Sequence, residues 1–139
     1  MASPTPANST CDDGVAIARE FRAEPRHAAT GRGVVRSFLE ECAVRPERIH
    51  EVMTAAGEAL TNAIEHAYPR SGGGPVMLSI YCCTEHRIIA LQVRDRGKML
   101  EGSDTPERRG FGFLIMRALA DAISIDTADG TAVTMLFRK

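Results

Sequence analysis

Glu58, Asn62 and His66 recur at four-residue steps inside an apolar helical pattern, so their side chains line one helix face a turn apart. An amide oxygen suits a hard cation such as Mg²⁺, which keeps most of its waters and takes one or two protein oxygens beside substrate phosphates. A carboxylate one turn away can accept a proton from a hydroxyl or a water. Asparagine is a poor residue for the middle of a helix, so something must compensate it. Taken alone, the same residues also fit a polar helix face satisfied by water, which is the commoner case.

Two further stretches carry chemistry. Asp95-Arg96-Gly97 follows an apolar run. A carboxylate there can accept a hydrogen bond from an exocyclic amine such as that of adenine, and the glycine lets a flat ligand approach the backbone. Asp and Gly are also ordinary turn residues. Arg109-Gly110-Phe111-Gly112-Phe113-Leu114 stands where a helix begins. Its glycines expose backbone N–H groups, a helix N-terminus favours phosphate, and Arg108 and Arg109 could add charge-assisted bonds. A lone Gly-x-Gly fits a loop hinge equally well.

The elements that must position these residues follow from periodicity. Val15, Ile17 and Phe21 alternate with polar neighbours, which predicts a half-buried strand over 14–24. Helical spacing predicts a helix over 26–42, weakened by Gly31 and Gly33. The strongest period runs from Ile49 through Val52, Ala56, Leu60 and Ala63, opened by Pro46 and stopped by Pro69 and the glycines at 72–74. It predicts a helix over 46–67 that carries Glu58 and Asn62. Strands are predicted over 76–83 and 87–94, joined as a hairpin by Thr84-Glu85-His86. Residues 95–109 have no period and read as a mobile loop. A short helix over 113–120 and strands over 123–126 and 131–138, turned at Asp129-Gly130, complete the chain. Mixed order with hairpins predicts an α+β sandwich, a mostly antiparallel sheet with helices on one face.

Composition bounds the rest. At 139 residues and 44% apolar content, the sequence supports one domain with a real core, 14–139, behind a polar tail over 1–13 that reads as flexible. A net charge of −1 gives no electrostatic reason to expect nucleic acid or an anionic membrane as partner. Seven arginines between Arg87 and Arg138 alternate with acids, as on a solvated mixed surface. Cys11, Cys42, Cys82 and Cys83 lack zinc-knuckle spacing, and the four histidines add none. Cys82 and Cys83 should face opposite sides of a strand. The tail lacks an apolar core like that of a secretory signal, and no apolar run is long enough for a membrane span. A disulfide framework is therefore not expected, and the expected compartment is reducing and cytoplasmic.

Together the boxes resemble a family. Glu58 to His66, then Asp95-Arg96-Gly97, then Gly110-Phe111-Gly112-Phe113, then Gly130-Thr131 are similar, in order, to the motifs of the Bergerat-fold ATPases. The runs Glu58 to Tyr68 and Gly110 to Met116 look most like the anti-sigma factor serine/threonine kinases. The resemblance implies a Bergerat two-layer sandwich that binds ATP with Mg²⁺. It implies Asn62 as the magnesium ligand, Glu58 as general base, and Asp95 with Gly97 at adenine. It also implies Gly110 and Gly112 at the phosphates, beside the cation that Arg109 could supply, and the Thr131 hydroxyl helping to fix adenine. The implied partners are a sigma factor, an anti-anti-sigma antagonist of the STAS type that is phosphorylated on Ser or Thr, and a second copy of the chain, paired through the N-terminal strand and helix.

One position departs from the family pattern. Met99, after Lys98, stands where the second box ends in glycine, and the stretch from Asp95 to Gly110 is short. Two rival functions stand beside the kinase, the first motivated by this departure. One is a module that switches protein partners on this fold without phosphoryl transfer. The other is a detached catalytic domain acting on a histidine-containing partner.

Overall fold

Prolines set the starts of the first two helices. In the computed structural model, which describes residues 14–68, 73–97 and 106–139 with backbone alone over 106–109, strand β1 (Val15–Arg22) runs up to the Pro25 turn. Helix α1 (Arg26–Glu41) begins directly after Pro25. Arg45 is extended and Pro46 occupies the first turn of helix α2 (Pro46–His66), where its missing N–H costs nothing. Glu47 lies in the first turn of α2 and His66 in the last, as the helix dipole favours. The expected tail over 1–13, Lys98 and Met99 lie outside the described residues.

Strands β2 (Pro75–Cys83) and β3 (Ile88–Asp95) form the expected hairpin, closed by Arg87 N–H donating to Thr84 O with Arg87 at φ 53°. Helix α3 (Pro106–Leu119) comes next, followed by the hairpin of β4 (Ala122–Asp126) and β5 (Thr131–Arg138). Gly130 turns that hairpin at φ 75°, in the left-handed region that glycine tolerates best. The strand order is β1-β2-β3-β5-β4, and each neighbouring pair is antiparallel. The expected α+β two-layer sandwich is therefore observed, with a sheet that is antiparallel at every described pairing rather than mixed.

All three helices lie on one face. The middle helix α2 touches β2, β3 and β5 and is flanked by α1 and α3. Its buried stripe, Ile49, Val52, Ala56, Leu60 and Ala63, meets Leu78, Ile80, Leu91, Val93, Met135 and Phe137 from the sheet. Small residues on α2 let its neighbours close in. Gly31 of α1 sits where a Cβ would lie 2.5 Å from Leu60 Cδ1, so the glycine that weakens the helix locally allows the helices to touch.

Three expectations need correction. In β1, Ile17 and Phe21 pack on the core, but Val15, at the start of this edge strand, is exposed. The region 95–109 is not all loop: α3 starts at Pro106, and Gly110 (φ 67°, ψ −153°) breaks it from the helical turns that follow. Pro106-Glu107 was a legible helix start that the aperiodic charge pattern masked. Cys82 and Cys83 do face opposite sides, Cys82 in the main core and Cys83 beside Tyr81 and Ala90. Cys42 and Cys82 are free thiols, but Cys83 is disulfide-bonded. The expectation against disulfides rested on the missing secretory signal, which says nothing of geometry.

Candidate functional site

The C-terminal half of α2 and the start of α3 meet at Glu58 and Asn62. A Cβ on Gly112 would lie 2.7 Å from Glu58 Oε1 and 3.6 Å from both amide atoms of Asn62. Only glycine fits there without displacing the carboxylate. The i, i+4 spacing thus puts both side chains on the face that α3 covers. Asn62 Nδ2 is buried with no hydrogen-bond partner. A buried donor left unsatisfied costs about 1–3 kcal/mol, so it marks a place prepared for an acceptor that a ligand would bring. His66, one turn further on, is exposed at the end of α2 and does not join the pair.

The second cluster gathers at the ends of β3 and β5. Asp95 is 5% exposed, and its Oδ1 accepts hydrogen bonds from Gly97 N–H at 3.1 Å and Thr131 N–H at 3.3 Å. Register explains the second bond, because Asp95 and Thr131 are cross-strand partners. Two backbone donors fix the carboxylate's orientation. Thr131, 6% exposed, is joined to Asp95 through its backbone. A Cβ on Gly97 would lie 1.8 Å from Ala67 O. Gly97 is thus required by the end of α2, a reason distinct from room for a flat ligand. A Cβ on Gly130 would meet Asp95 O at 2.1 Å, so that glycine also closes this corner.

Tyr68 is the residue that sequence reasoning missed. Its hydroxyl donates to Pro75 O at 2.6 Å and accepts from Arg96 N–H at 2.9 Å. It thereby ties the end of α2 to β2 and to the Asp95–Gly97 corner. Burial raises its hydroxyl pKa, the Arg96 N–H lowers it, and the Asp95 charge raises it further. Its ring fills the place a side chain on Gly74 would need, at 2.4 Å. A tyrosine just past a helix and a glycine just before a strand were the available signals.

Gly110 carries the backbone break before the helical turns of α3, and the N–H groups that follow it are the free donors of a helix start. Gly112 is thus brought to the Glu58–Asn62 face, while Gly110, two residues earlier, stands in open space where a Cβ would meet nothing within 4 Å. The Arg109 side chain lies outside the described residues. Among the described residues, no group of three or more His, Cys, Asp or Glu could hold a metal by itself. That donor set suits a cation held by one protein oxygen, waters and phosphates, and does not suit an all-protein cage.

With this geometry in view, comparisons with known proteins become decisive. The model of the family described as "Histidine kinase-like ATPase domain" matches residues 21–137. The chain belongs to the histidine kinase-like ATPase family. It is 33% identical over 131 residues to an anti-sigma F factor of Bacillus licheniformis, covering 86% of this chain and 88% of that protein. An anti-sigma F factor of Bacillus subtilis strain 168 is 30% identical over the same shares of each chain. The solved RsbU and RsbW domains of a Mycobacterium tuberculosis protein share the fold, with a TM-score of 0.71 at 23% identity, over 89% of this chain and 32% of that one. Membership of this ATPase family implies ATP binding. No helix among the described residues is long and apolar enough to cross a membrane.

Proposed function

We propose that this histidine kinase-like ATPase domain is a cytoplasmic anti-sigma factor with protein serine/threonine kinase activity. It would hold a sigma factor away from RNA polymerase and phosphorylate a Ser or Thr of an anti-anti-sigma antagonist of the STAS type. Relatives named anti-sigma F factor, aligned over most of both chains, support the biological role. The observation that carries the chemistry is the packing of Gly112 on Glu58 and Asn62, with the Asn62 amide nitrogen buried and unpaired.

Asn62 would bind Mg²⁺ through its amide oxygen, leaving the orphaned nitrogen to donate to a phosphate oxygen. Bound Mg²⁺ would neutralise phosphate charge and hold the γ-phosphoryl group for in-line transfer. Asp95, oriented by Gly97 and Thr131, would accept from the adenine amine, and the Thr131 hydroxyl would help fix the base. Gly110, Gly112 and Arg109 would line the phosphates. In the transfer, a bond forms from the antagonist's hydroxyl oxygen to the γ-phosphorus. The bond to the β–γ bridging oxygen breaks, ADP leaves, and the hydroxyl proton passes to Glu58. A homodimer through β1 and α1 is part of this proposal, and the exposed edge position of β1 supports it. Nucleic acid and membrane are not proposed as direct partners.

The test is incubation with Mg-ATP and a cognate antagonist, read as phosphoserine or phosphothreonine, with Asn62→Ala alongside. Transfer by the wild type and its loss in Asn62→Ala are expected. No transfer, with the variant indistinguishable from wild type, would sink the kinase proposal. A calorimetric titration silent to Mg-ATP would instead favour the partner-switching module suggested by Met99. Acid-labile phosphate on a partner would point to a histidine acceptor.

A further inference from the structure

The apolar residues of α3 divide between two faces. Phe113 and Met116 are buried and join the core. Phe111 and Leu114, three residues apart on the other side, are 80% and 55% exposed. Ile115, half-buried, and Ala118, exposed, continue the stripe at helical spacing. Rotating this stripe inward would expel Phe113 and Met116, so the fold itself holds Phe111 and Leu114 in water. Scattered exposed apolar residues need no explanation, but a contiguous stripe led by an aromatic marks a surface that something covers.

Position says what covers it. Phe111 stands between Gly110 and Gly112, one Cα step of about 3.8 Å from the residue packed on Glu58 Oε1. The stripe thus begins, at Phe111, one residue from the proposed place of phosphoryl transfer. A protein hydroxyl must come within hydrogen-bond reach of Glu58 to give up its proton. Its carrier must therefore cover the surface beside Gly112. A sigma factor is not the phosphoryl acceptor in that function, so nothing ties it to this rim.

We propose that the Phe111–Leu114 face of α3 is the docking surface for the phosphorylated protein substrate, an antagonist that presents an apolar patch beside its Ser or Thr. This rests on the kinase function proposed above. Aromatic and aliphatic anchors that lose water on docking supply most of the energy of such contacts. Their place next to the reacting groups converts docking energy into alignment of the hydroxyl.

Steady-state transfer from Mg-ATP to the antagonist, compared between wild type, Phe111→Ser, Leu114→Ser and the double variant, tests this. Both positions are exposed, so folding should survive, which a thermal melt checks. The double variant should raise the antagonist KM roughly tenfold or more, with kcat at saturation and Mg-ATP affinity within about twofold. Phe111→Met should restore most of the lost KM. An unchanged KM overturns the proposal. So does weakened Mg-ATP binding that accounts for the whole loss, or lost sigma-factor binding with KM intact. If the wild type transfers no phosphate, the kinase function fails. Direct titration of the antagonist then decides the docking surface separately: weaker binding by the double variant supports it, and equal binding overturns it.

Discussion

Asn62 combines two costs, a poor helix former in mid-helix and a buried amide nitrogen without a partner. A residue kept for a ligand should cost the ligand-free fold something. Asn62→Ala is therefore expected to leave stability to urea unchanged or raise it by about 1 kcal/mol, while Mg-dependent ATP binding is lost. Urea denaturation beside calorimetry checks both. A loss of stability greater than about 1 kcal/mol would show that the amide is held by the protein itself. Arg48 provides the opposite case. Its guanidinium donates to Arg138 O, Glu51 and Asp121 and lies 5.3 Å from the Phe137 ring centre. Arg48→Ala should cost about 2–4 kcal/mol in the same urea experiment. It sits about 21 Å along α2 from Asn62, at 1.5 Å per residue, so Mg-ATP affinity should hold. Asn62 announced itself in the sequence through type and spacing. Arg48 could not, because a cation in a helix looks solvated until the distant groups that receive its N–H bonds are known.

At the scale of elements, periodicity located the strands and helices to within a few residues except at the start of α3, although β2 is buried on both faces, with Tyr81 and Cys83 in a second cluster. It failed where the pattern answers to something besides burial. Gly31 and Gly33 both lower helix propensity, yet α1 runs through them. Their environments differ. A Cβ at Gly31 would collide with Leu60, while one at Gly33 would meet nothing within 4 Å. Gly33→Ala should therefore stabilise the protein by roughly 0.5–1 kcal/mol, and Gly31→Ala should destabilise it by about 1–3 kcal/mol. Thermal melts of the two single variants would show opposite shifts, and shifts of the same sign would refute the packing account. The start of α3 was misread for a related reason. Gly110 interrupts the helix at the point where the backbone turns toward Glu58, so local structure there follows the site and not a hydrophobic period.

Across the whole molecule, helices on one face of an antiparallel sheet leave the site at one end, where α2, β3, β5 and α3 converge. Of the residues the motifs single out, the fold brings Glu58 and Asn62 against Gly112, and Asp95 against Gly97 and Thr131. What holds the corner together was illegible, because it depends on the Tyr68 hydroxyl bridging Pro75 and Arg96. That bridge gives stability a pH dependence whose sign can be worked out. Burial holds the Tyr68 hydroxyl above its ordinary value. Cys42 is pushed up to about 12, first by burial and then by the charge and hydrogen bond of the neighbouring Cys82 thiol, with Lys139 pulling the other way. Both groups keep their protons more tightly folded than unfolded. Their contribution is fully present below the unfolded values of about 8.5 for Cys and 10 for Tyr, and is lost as pH rises through the folded ones. Stability to urea should be level from pH 7 to about 8, then fall toward pH 11. Cys42→Ser should remove the earlier part of that fall, and Tyr68→Phe the later part. Tyr68→Phe should also cost about 1–3 kcal/mol at neutral pH, since Arg96 N–H and Pro75 O lose their partner. If both variants fall with alkaline pH as steeply as the wild type, the alkaline loss arises elsewhere. The tie between the end of α2 and the Asp95 corner would then not be what high pH dissolves.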